Sequence, residues 1–445
     1  MKTRLQQANS PRQKARPTMG KIIAAIACVF AFSISAPAQE IKLVQYEFKT
    51  PPVIGVYQDV TIREGGISGL HYIRGSRNEF YLITDRGPNA DAGKANSGRE
   101  TILFAFPNYA PKIFRVRPQG DSLKILKTLP LKKFDGKKAS GIPNPIGFGH
   151  SGEIAWAAVN QEAAPDKWGI DSEGLTAGTN GDLWIGEEYG PTIWRVNGRN
   201  GKITVRYTPF GSSEREVAID RILAKRRPNR GFEGIACTPN GKIYALLQAP
   251  IYNPDKAAGE ASRLHRLLEI DPKTNVTRMF VYEHEAPTAH IKNKDWSIGD
   301  LAAINNHEFL VLEHAAKKDE NVKKIFKIDI SQATPIARED FGGKTLEQLE
   351  TAENCIANGV VPVQKILYLD LLAHGWDPSH KKPEGLTVVN DTTIAVINDN
   401  DFGVDSPEAD GILVPTGKKT VLYQFTVPRN MALNFVSPDE RAAAK

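Results

Sequence analysis

The chain has 445 residues, of which 24% are charged, with 57 lysines and arginines against 51 aspartates and glutamates. Six of the bases and none of the acids lie in residues 1–38, so the rest of the chain carries 51 bases against 51 acids. A net charge near zero argues against nucleic acid or an anionic membrane surface as partner.

Residues 1–38 have the form of a secretory signal. Basic residues precede an apolar run, Ile22 to Ile34, which is followed by the small-residue site Ala36-Pro37-Ala38. The run is too short to span a bilayer as a helix, and no later segment is apolar enough. We therefore expect an exported protein, periplasmic or extracellular, without a membrane span, whose residues 39–445 form one domain. Its two cysteines, Cys237 and Cys355, either pair or are two buried thiols.

Five segments of the chain share one pattern: a glycine or its equivalent, a short apolar strand, a turn, and a second apolar strand that ends in polar residues. In chain order they are ISGLHYIRGSRNEFYLITDRG (67–87), DSEGLTAGTNGDLWIGEEYG (171–190), RGFEGIACTPNGKIYALLQAP (230–250), SIGDLAAINNHEFLVLEHA (297–315) and PEGLTVVNDTTIAVINDND (383–401). A further strand with a shared signature, such as Ile193-Trp194-Arg195-Val196, follows each copy. Self-similar units of several strands are typical of propellers.

We therefore predict an all-β fold, a single β-propeller of six blades with four antiparallel strands each. Five blades correspond to the five clear repeats. A sixth, degenerate blade or insertions are expected in the longer gaps, at residues 132–170 and 341–380. The early strand at residues 42–49 is expected to close the ring against the last blade.

The turns of these hairpins predict which side chains face each other. Asn180-Gly181 is a strong two-residue hairpin signal and places Glu173 directly opposite Glu188. By the same geometry, Asn240-Gly241 places Glu233 opposite Gln248. The equivalent offset gives three more opposed pairs: Glu384 and Asp399, Gly299 and His314, and Ser68 and Asp85. Opposed residues project to the same face of a sheet, whereas Glu187, one residue out of phase, should point to the other face.

The first strand of each blade lines the channel of a propeller, so these acids should gather at one mouth of that channel. Packed carboxylates stay ionised only beside a cation, and oxygen ligands without soft ones suit Ca²⁺. We predict a Ca²⁺ site formed by Asp85, Glu173, Glu188, Glu384 and Asp399. The alternative is that the acids flank exposed turns and are simply solvated.

A second set of residues is expected to act on a substrate at this mouth. Water activated by the metal would need a carboxylate base, and the candidates for catalysis are Glu188, Glu233, Asp399 and His314. For His314 the alternative is a hydrogen-bonded scaffold residue. Basic side chains next to the acids are candidates for binding an anionic substrate: Arg86, Arg230 and Lys382. Solvation at the rim is the alternative for each base.

These motifs resemble the phytase-like family of exported proteins, also called esterase-like activity of phytase. The resemblance is carried by the Glu-Gly-(Leu/Ile)-(Thr/Ala) copies at 173–176, 233–236 and 384–387, with DRG at 85–87, EEYG at 187–190 and NDND at 398–401. The chain is more distantly similar to the alkaline β-propeller phytases, which are six-bladed and bind calcium. That similarity implies calcium-assisted hydrolysis of a small phosphate ester or phosphodiester.

Two other functions fit the same residues. One is a calcium-dependent lactonase or sugar-ester hydrolase, because six-bladed calcium propellers of that kind also place Glu, Asn and Asp around one ion. The other is a binding propeller without catalysis, in which calcium is structural. A serine hydrolase is disfavoured, since no Gly-x-Ser-x-Gly elbow is present.

Overall fold

The computed structural model describes residues 40–437, so the predicted signal segment lies outside the described residues. Strands dominate, and the only two α-helices in the described range are α1 (Lys256–Ala261) and α2 (Ala352–Ala357). Short 3₁₀ helices lie at Arg221–Lys225, Asn293–Asp295, Glu347–Leu349, Leu372–His374, Asp401–Gly403 and Arg429–Met431. No helix within residues 40–437 is long and apolar enough to cross a membrane.

The strands are numbered in chain order. The first half contains β1 (Lys42–Glu47), β2 (Val53–Tyr57), β3 (Val60–Arg63), β4 (Ile67–Ile73), β5 (Glu79–Thr84), β6 (Asn89–Lys94), β7 (Glu100–Phe104), β8 (Lys112–Gln119), β9 (Ser122–Pro130), β10 (Ile154–Ala158), β11 (Gln161–Glu162), β12 (Ser172–Ala177), β13 (Asp182–Glu187), β14 (Thr192–Asn197), β15 (Ile203–Thr208) and β16 (Glu216–Ala218). The second half contains β17 (Phe232–Cys237), β18 (Ile243–Leu247), β19 (Leu264–Asp271), β20 (Val276–Glu283), β21 (Ser297–Ala303), β22 (Glu308–Lys317), β23 (Glu320–Asp329), β24 (Gln364–Asp370), β25 (Lys382–Asn390), β26 (Thr393–Asp399), β27 (Val404–Asp405), β28 (Val414–Pro415) and β29 (Val421–Thr426).

Five four-stranded units form a closed ring. In order they are β4-β5-β8-β9, β12-β13-β14-β15, β17-β18-β19-β20, β21-β22-β23-β24 and β25-β26-β29-β1. The first strand of each unit contacts the first strand of the next, and β25 contacts β4, so the cycle is complete. The expected all-β propeller fold is confirmed, and each of the five sequence repeats begins one four-stranded unit of this ring.

The expected sixth blade is not confirmed. The remaining four-stranded sheet, in the order β11-β10-β7-β6, draws its strands from two separate insertions, one between β5 and β8 and one between β9 and β12. Because β4 contacts β12 directly, this sheet lies outside the ring of inner strands. The long gap at 132–170 therefore contributes to an added sheet instead of a blade.

The ring is closed by the N-terminal strand, as the sequence predicts. Strand β1 pairs antiparallel with β29, from Lys42 opposite Thr426 to Glu47 opposite Val421. The last blade thus combines strands from the two ends of the described chain. Such closure ties the first and last blades together, so that opening the ring requires breaking this strand pairing.

The strands are apolar on both sides because each blade packs between two neighbours. In β5, Phe80 and Leu82 belong to the cluster shared with the last blade, whereas Tyr81 and Ile83 belong to the cluster shared with the second blade. Full burial of a large apolar side chain contributes roughly 1.5–3 kcal/mol. Both thiols are buried, and no disulfide joins Cys237 to Cys355.

Candidate metal centre and active site

The hairpin turns differ from the sequence prediction by one residue. Gly178 N donates to Asp182 O at 2.7 Å, so three residues, with Gly181 at φ +83°, form the loop. Asn-Gly also suits this three-residue loop, in which glycine takes the left-handed position. The prediction that Glu173 lies directly opposite Glu188 is therefore wrong. Glu188 N instead donates to Asp171 O at 2.9 Å.

A β-bulge in each inner strand adds a second one-residue shift to that of the turn. In all five inner hairpins the register slips by one residue at the same position, just before the polar end of the second strand. The bulged residues are Ser68, Glu173, Glu233, Gly299 and Glu384. Bulges re-aim a side chain locally, and here they turn the glutamates toward the channel mouth.

The glycine that follows these bulged glutamates permits close packing of the inner strands. A Cβ atom on Gly174 would lie 2.5 Å from Glu233 O, and one on Gly234 would lie 2.4 Å from Leu301 N. Only glycine fits at such distances. In each repeated Glu-Gly pair, the glutamate contributes a side chain to the channel mouth. The glycine lets the backbones of neighbouring inner strands come close together.

The mouth of the channel holds a cavity of about 230 Å³. Its lining residues are Ser68, Asp85, Arg86, Asn89, Asp171, Glu173, Glu188, Asn229, Arg230, Glu233, Gln248, Ser297, His314, Lys382, Glu384, Asp399 and Asp401. All ten residues that the sequence predicts for the site are among them, so the structure brings them together, and the role of each stays a prediction. Below, this space is called the acidic cavity.

Glu187 does not line the acidic cavity. Its carboxylate accepts hydrogen bonds from the backbone N–H groups of Tyr189, Gly190 and Thr192, each at 2.8 Å. It also accepts one from the Thr192 hydroxyl at 2.6 Å. Glu187 therefore organises the turn after β13, and its neighbour Glu188 is left to face the cavity.

Three of the acids are placed to share one cation. Asp171, Glu173 and Glu188 are all buried, and one carboxylate oxygen from each lies within 4.8 Å of the others. Oxygens bound to the same Ca²⁺ are at most about 5 Å apart, given metal–oxygen distances of 2.3–2.6 Å. Asp171 is absent from the sequence-predicted ligands because the predicted register, without the longer turn and the bulge, placed it two residues along the strand from the position opposite Glu188.

Burial and mutual repulsion make these carboxylates hard to ionise without a cation. Burial raises the pKa of Glu188 to about 8, with Asp171 adding to the rise. The pKa values of Glu173, Glu233 and Glu384 are raised well above the usual range by burial first and by neighbouring carboxylates second. A bound divalent cation would reverse these shifts by stabilising the charged forms.

Several oxygens in the acidic cavity have no hydrogen-bond partner. Glu233 Oε2, Glu384 Oε2, Gln248 Oε1 and Asn229 Oδ1 are all buried and unpaired. A buried polar atom without a partner costs free energy, so a set of them in one cavity is expected to pair with water or with a ligand. All four are hard oxygen acceptors, and they therefore fit Ca²⁺.

The three predicted substrate-binding bases are paired with the acids. Arg86 Nη1 lies 3.1 Å from Glu153 and 3.6 Å from Asp171, and Arg230 Nη1 lies 3.3 Å from Glu188. Lys382 Nζ lies 2.9 Å from Asp399 and 2.6 Å from Asp401. Each base thus borders the acidic cavity.

Lys382 sets the charge of the two aspartates beside it. Burial raises the pKa of Asp399 to about 6, although Lys382 opposes that rise. Burial also disfavours ionised Asp401, but Lys382 and Lys418 outweigh it and lower the pKa to about 2. Asp401, which the sequence analysis did not select, is thus a stably ionised partner of Lys382.

His314 lies in a basic part of the cavity wall. Burial, with Lys323, Lys382 and Arg230 nearby, lowers its pKa to about 3, and its Nε2 has no hydrogen-bond partner. The imidazole is therefore neutral near pH 7. Lys323, opposite His314 on β23, is buried and donates to Lys381 O at 2.9 Å. In the sequence Lys323 is one member of a Lys-Lys pair, and no local pattern marks it as the neighbour of His314.

The chain is similar to one protein family and to a secreted relative. The family model described as "Phytase-like: Esterase-like activity of phytase" matches residues 62–402. An "Uncharacterized secreted protein" of Arthroderma benhamiae is 22% identical over 343 residues, which cover 65% of this chain. The match spans 66% of the length of that curated relative.

Among solved structures, virginiamycin B lyase from Staphylococcus aureus is 11% identical, with 87% of this chain and all of that chain covered and a TM-score of 0.30. A structure from the GH130 family of mannoside phosphorylases is 9% identical over 84% of this chain and 90% of that chain, with a TM-score of 0.38. The family match, in contrast, spans well over half of the chain and all five blades' inner strands begin within it. The chain therefore belongs to the phytase-like family.

Proposed function

We propose that the protein is an exported, calcium-assisted hydrolase of phosphate esters or phosphodiesters, active at the acidic cavity. The observation that carries the proposal is the convergence of eight carboxylates and three bases on one 230 Å³ space, with unpaired oxygens among them. Family membership supports hydrolysis of an ester, and the secreted relative supports export to the periplasm or beyond the cell.

The acids divide into two groups by position. Asp171, Glu173 and Glu188 are the core ligands for Ca²⁺, because their oxygens already lie within one coordination sphere. Asp85, Glu384 and Asp399 complete the predicted ligand set from the neighbouring inner hairpins. When bound, Ca²⁺ would neutralise the ester's oxygens and lower the pKa of a coordinated water.

The chain's own residues supply the remaining chemistry. Glu233, whose Oε2 has no partner, is placed to accept a proton from the attacking water. Neutral His314 can hold that water or the leaving group by a hydrogen bond. The anionic group of the substrate is bound by Arg86, Arg230 and Lys382. To bind it, each base gives up part of its ion pairing with the cavity acids.

The proposal is tested by hydrolysis of p-nitrophenyl phosphate and bis(p-nitrophenyl) phosphate by the purified mature chain, with Ca²⁺ and with chelator. We expect turnover that needs Ca²⁺ and falls at least 100-fold in Glu188→Gln. Glu100→Gln is the matched control, because Glu100 is half-exposed and pairs with Lys94 outside the cavity. Turnover that survives chelation would contradict the mechanism.

The same oxygen ligands for a metal also suit a lactone or sugar-acid ester hydrolase, because Asn229 adds an unpaired amide oxygen to the carboxylates. A lactone panel run beside the phosphate esters separates the two enzymes. Calcium binding by calorimetry without turnover of either panel would identify the third candidate, a binding propeller with structural calcium.

A further inference from the structure

A second cavity of about 330 Å³ is linked to the acidic cavity by the ion pair between Arg86 and Glu153. Apolar residues form most of its lining: Pro143, Pro145, Ile146, Ile154, Ala155, Ala163 and Pro165. Arg99, His150 and Glu153 form one polar corner, in which Arg99 Nη2 lies 2.8 Å from His150 Nε2 and donates to Glu153 O at 2.9 Å. The space is thus mostly apolar and of a size suited to a small organic group.

The loop at residues 141–153 carries unusual apolar exposure beside this cavity. Ile146, which lines it, is 81% exposed, and Phe148 two residues later is 38% exposed. Together with the apolar lining of the cavity, these two side chains extend one apolar surface, and apolar pockets of this kind bind small molecules. The loop is also held at its base, where Asn144 Nδ2 donates to Asp166 O and Gly169 O, each at 2.9 Å.

Hydrogen bonds attach this loop to the residue after Glu188. Tyr189 OH donates to Gly141 O at 2.7 Å, at the start of the loop. Arg226 Nε donates to Tyr189 O at 2.7 Å, while its Nη2 donates to Gly149 O and to His150 O, each at 3.2 Å. A Cβ on Gly149 would lie 2.4 Å from Gly190 Cα, so the loop packs directly on this turn.

An ion pair separates the two cavities. Arg86 lines the acidic cavity, Glu153 lines the apolar one, and their side chains meet at 3.1 Å. A molecule with an anionic group in the first space and an apolar group in the second would extend past this ion pair.

We propose that the cavity beside loop 141–153 binds the apolar group of the substrate, and that the substrate is an anionic ester with an alkyl or aryl substituent. This inference rests on the proposed function, since it takes the acidic cavity as the site of the anionic group. It separates the expected substrate from inositol phosphates and other fully polar esters, which have nothing to place against Ile146 and its proline neighbours.

The test is a binding measurement, which does not depend on turnover. Hexylphosphonate and methylphosphonate share one anionic group, are not hydrolysed, and differ only in apolar length. Each methylene that leaves water contributes about a fourfold gain in affinity. We expect hexylphosphonate to bind the mature chain with Ca²⁺ at least tenfold more tightly than methylphosphonate in isothermal titration calorimetry.

Variants locate the effect. Ile146→Glu is expected to reduce the preference for the hexyl ligand to threefold or less, with methylphosphonate binding unchanged. Ile366→Glu, on the outer strand β24 and 59% exposed, is the matched control and should retain the full preference. Because both sites are exposed, both variants should keep the melting temperature of the parent chain.

Each outcome decides between the two proposals. Equal affinity for the two ligands, absence of binding by both, or an equal effect of the two variants would overturn the apolar subsite. A hexyl preference that Ile146→Glu removes, in a protein that hydrolyses no phosphate ester, would uphold the subsite and overturn only the hydrolase.

Discussion

The two ends of the channel are built from the same five inner hairpins, yet they differ in the volume of the space they enclose and in the chemistry of its lining. The acidic cavity at one end measures about 230 Å³ and is lined chiefly by charged side chains. The space at the turn end of the inner strands measures about 30 Å³ and is lined mainly by apolar residues, among them Leu175, Ile235 and Val388.

The C-terminal segment covers the narrow end. Phe435 lines the small space there, and its backbone N–H donates to Asp391 Oδ1 at 3.0 Å. Val436 N donates to Ile304 O at 2.8 Å, and the Arg74 guanidinium lies 3.9 Å from the Phe435 ring centroid. Polar backbone groups are thus paired at this end and the apolar surfaces are in contact.

The contrast shows which end is built for stability and which for binding. The narrow end pairs the backbone N–H groups of Phe435 and Val436 and buries its apolar side chains, as a folded core does. The wide end keeps like charges together and leaves oxygens unpaired, which costs stability unless a ligand compensates. Substitutions at the two ends should therefore have opposite effects on folding.

The largest expected effect is that of Glu233→Gln at the wide end. In Ca²⁺ it should reduce kcat at least 100-fold, because the proton acceptor is lost. In chelator it should raise the melting temperature, because one member of a repelling group of acids becomes neutral.

Glu187→Gln provides the contrast for that experiment. Glu187 is buried nearby but accepts four hydrogen bonds outside the cavity, so its replacement should lower the melting temperature in chelator. If both variants shift the melting temperature in the same direction, the acidic cavity is not a site of stored repulsion.

Leu433→Ala at the narrow end should destabilise the protein by about 2–4 kcal/mol, the usual cost of emptying a buried leucine site. Leu433 is 4% exposed and packs in the cluster shared by the last two blades. Urea unfolding measures the loss, and Leu126→Ala, at an exposed position, is the control. KM and kcat should not change. A loss of activity in the folded variant would contradict the separation of the two ends.

The sequence was sufficient to predict that these acids gather in one cavity, while their roles stay predictions. Alternation and recurring Glu-Gly pairs place Glu173, Glu233 and Glu384 at one mouth, and each repeat begins one four-stranded unit of the ring. The acids are found together because a bulge recurs at the same step of every hairpin, so one offset holds for all copies even though its value at the mouth was two residues too large.

Features that depend on non-local pairing could not be predicted in this way. Asn180-Gly181 fits both a two- and a three-residue loop, so the register and the place of Asp171 stayed undetermined. The added sheet depends on parallel pairing of β10 with β7, some fifty residues earlier in the chain, and no local pattern reports such a pairing. Loop 141–153 joins the site through Tyr189 and Arg226, whose hydrogen bonds are invisible in sequence.

The two ends should also differ in their response to pH. Glu188 has a folded pKa of about 8, and Asp399 one of about 6, both above their unfolded values. From pH 4.5 to about 8 for Glu188, and from pH 3.8 to about 6 for Asp399, the unfolded chain has released the proton while the folded chain retains it, so the free energy of unfolding falls as pH rises through each window. The melting temperature of the chelated protein should drop by several degrees from pH 5 to pH 8.

Calcium should reverse this trend. Calcium binding requires ionised ligands. The rise in melting temperature produced by about 1 mM Ca²⁺ should therefore be larger at pH 8 than at pH 5. Differential scanning calorimetry at the two pH values measures both effects. A chelated protein whose stability rises over this range would show that the acids are ionised without a cation.

The smallest expected effect is that of Phe435→Leu at the narrow end. Leucine keeps the apolar contact with the channel but removes the aromatic ring beneath the Arg74 guanidinium. The lost cation–π contact is worth roughly 0.5–1 kcal/mol at a partly exposed site. Urea unfolding should show a loss of about that size, with no change in its dependence on pH or Ca²⁺. If the loss instead disappears when Ca²⁺ is added, the narrow end is coupled to the acidic cavity, and the two ends of the channel do not act independently.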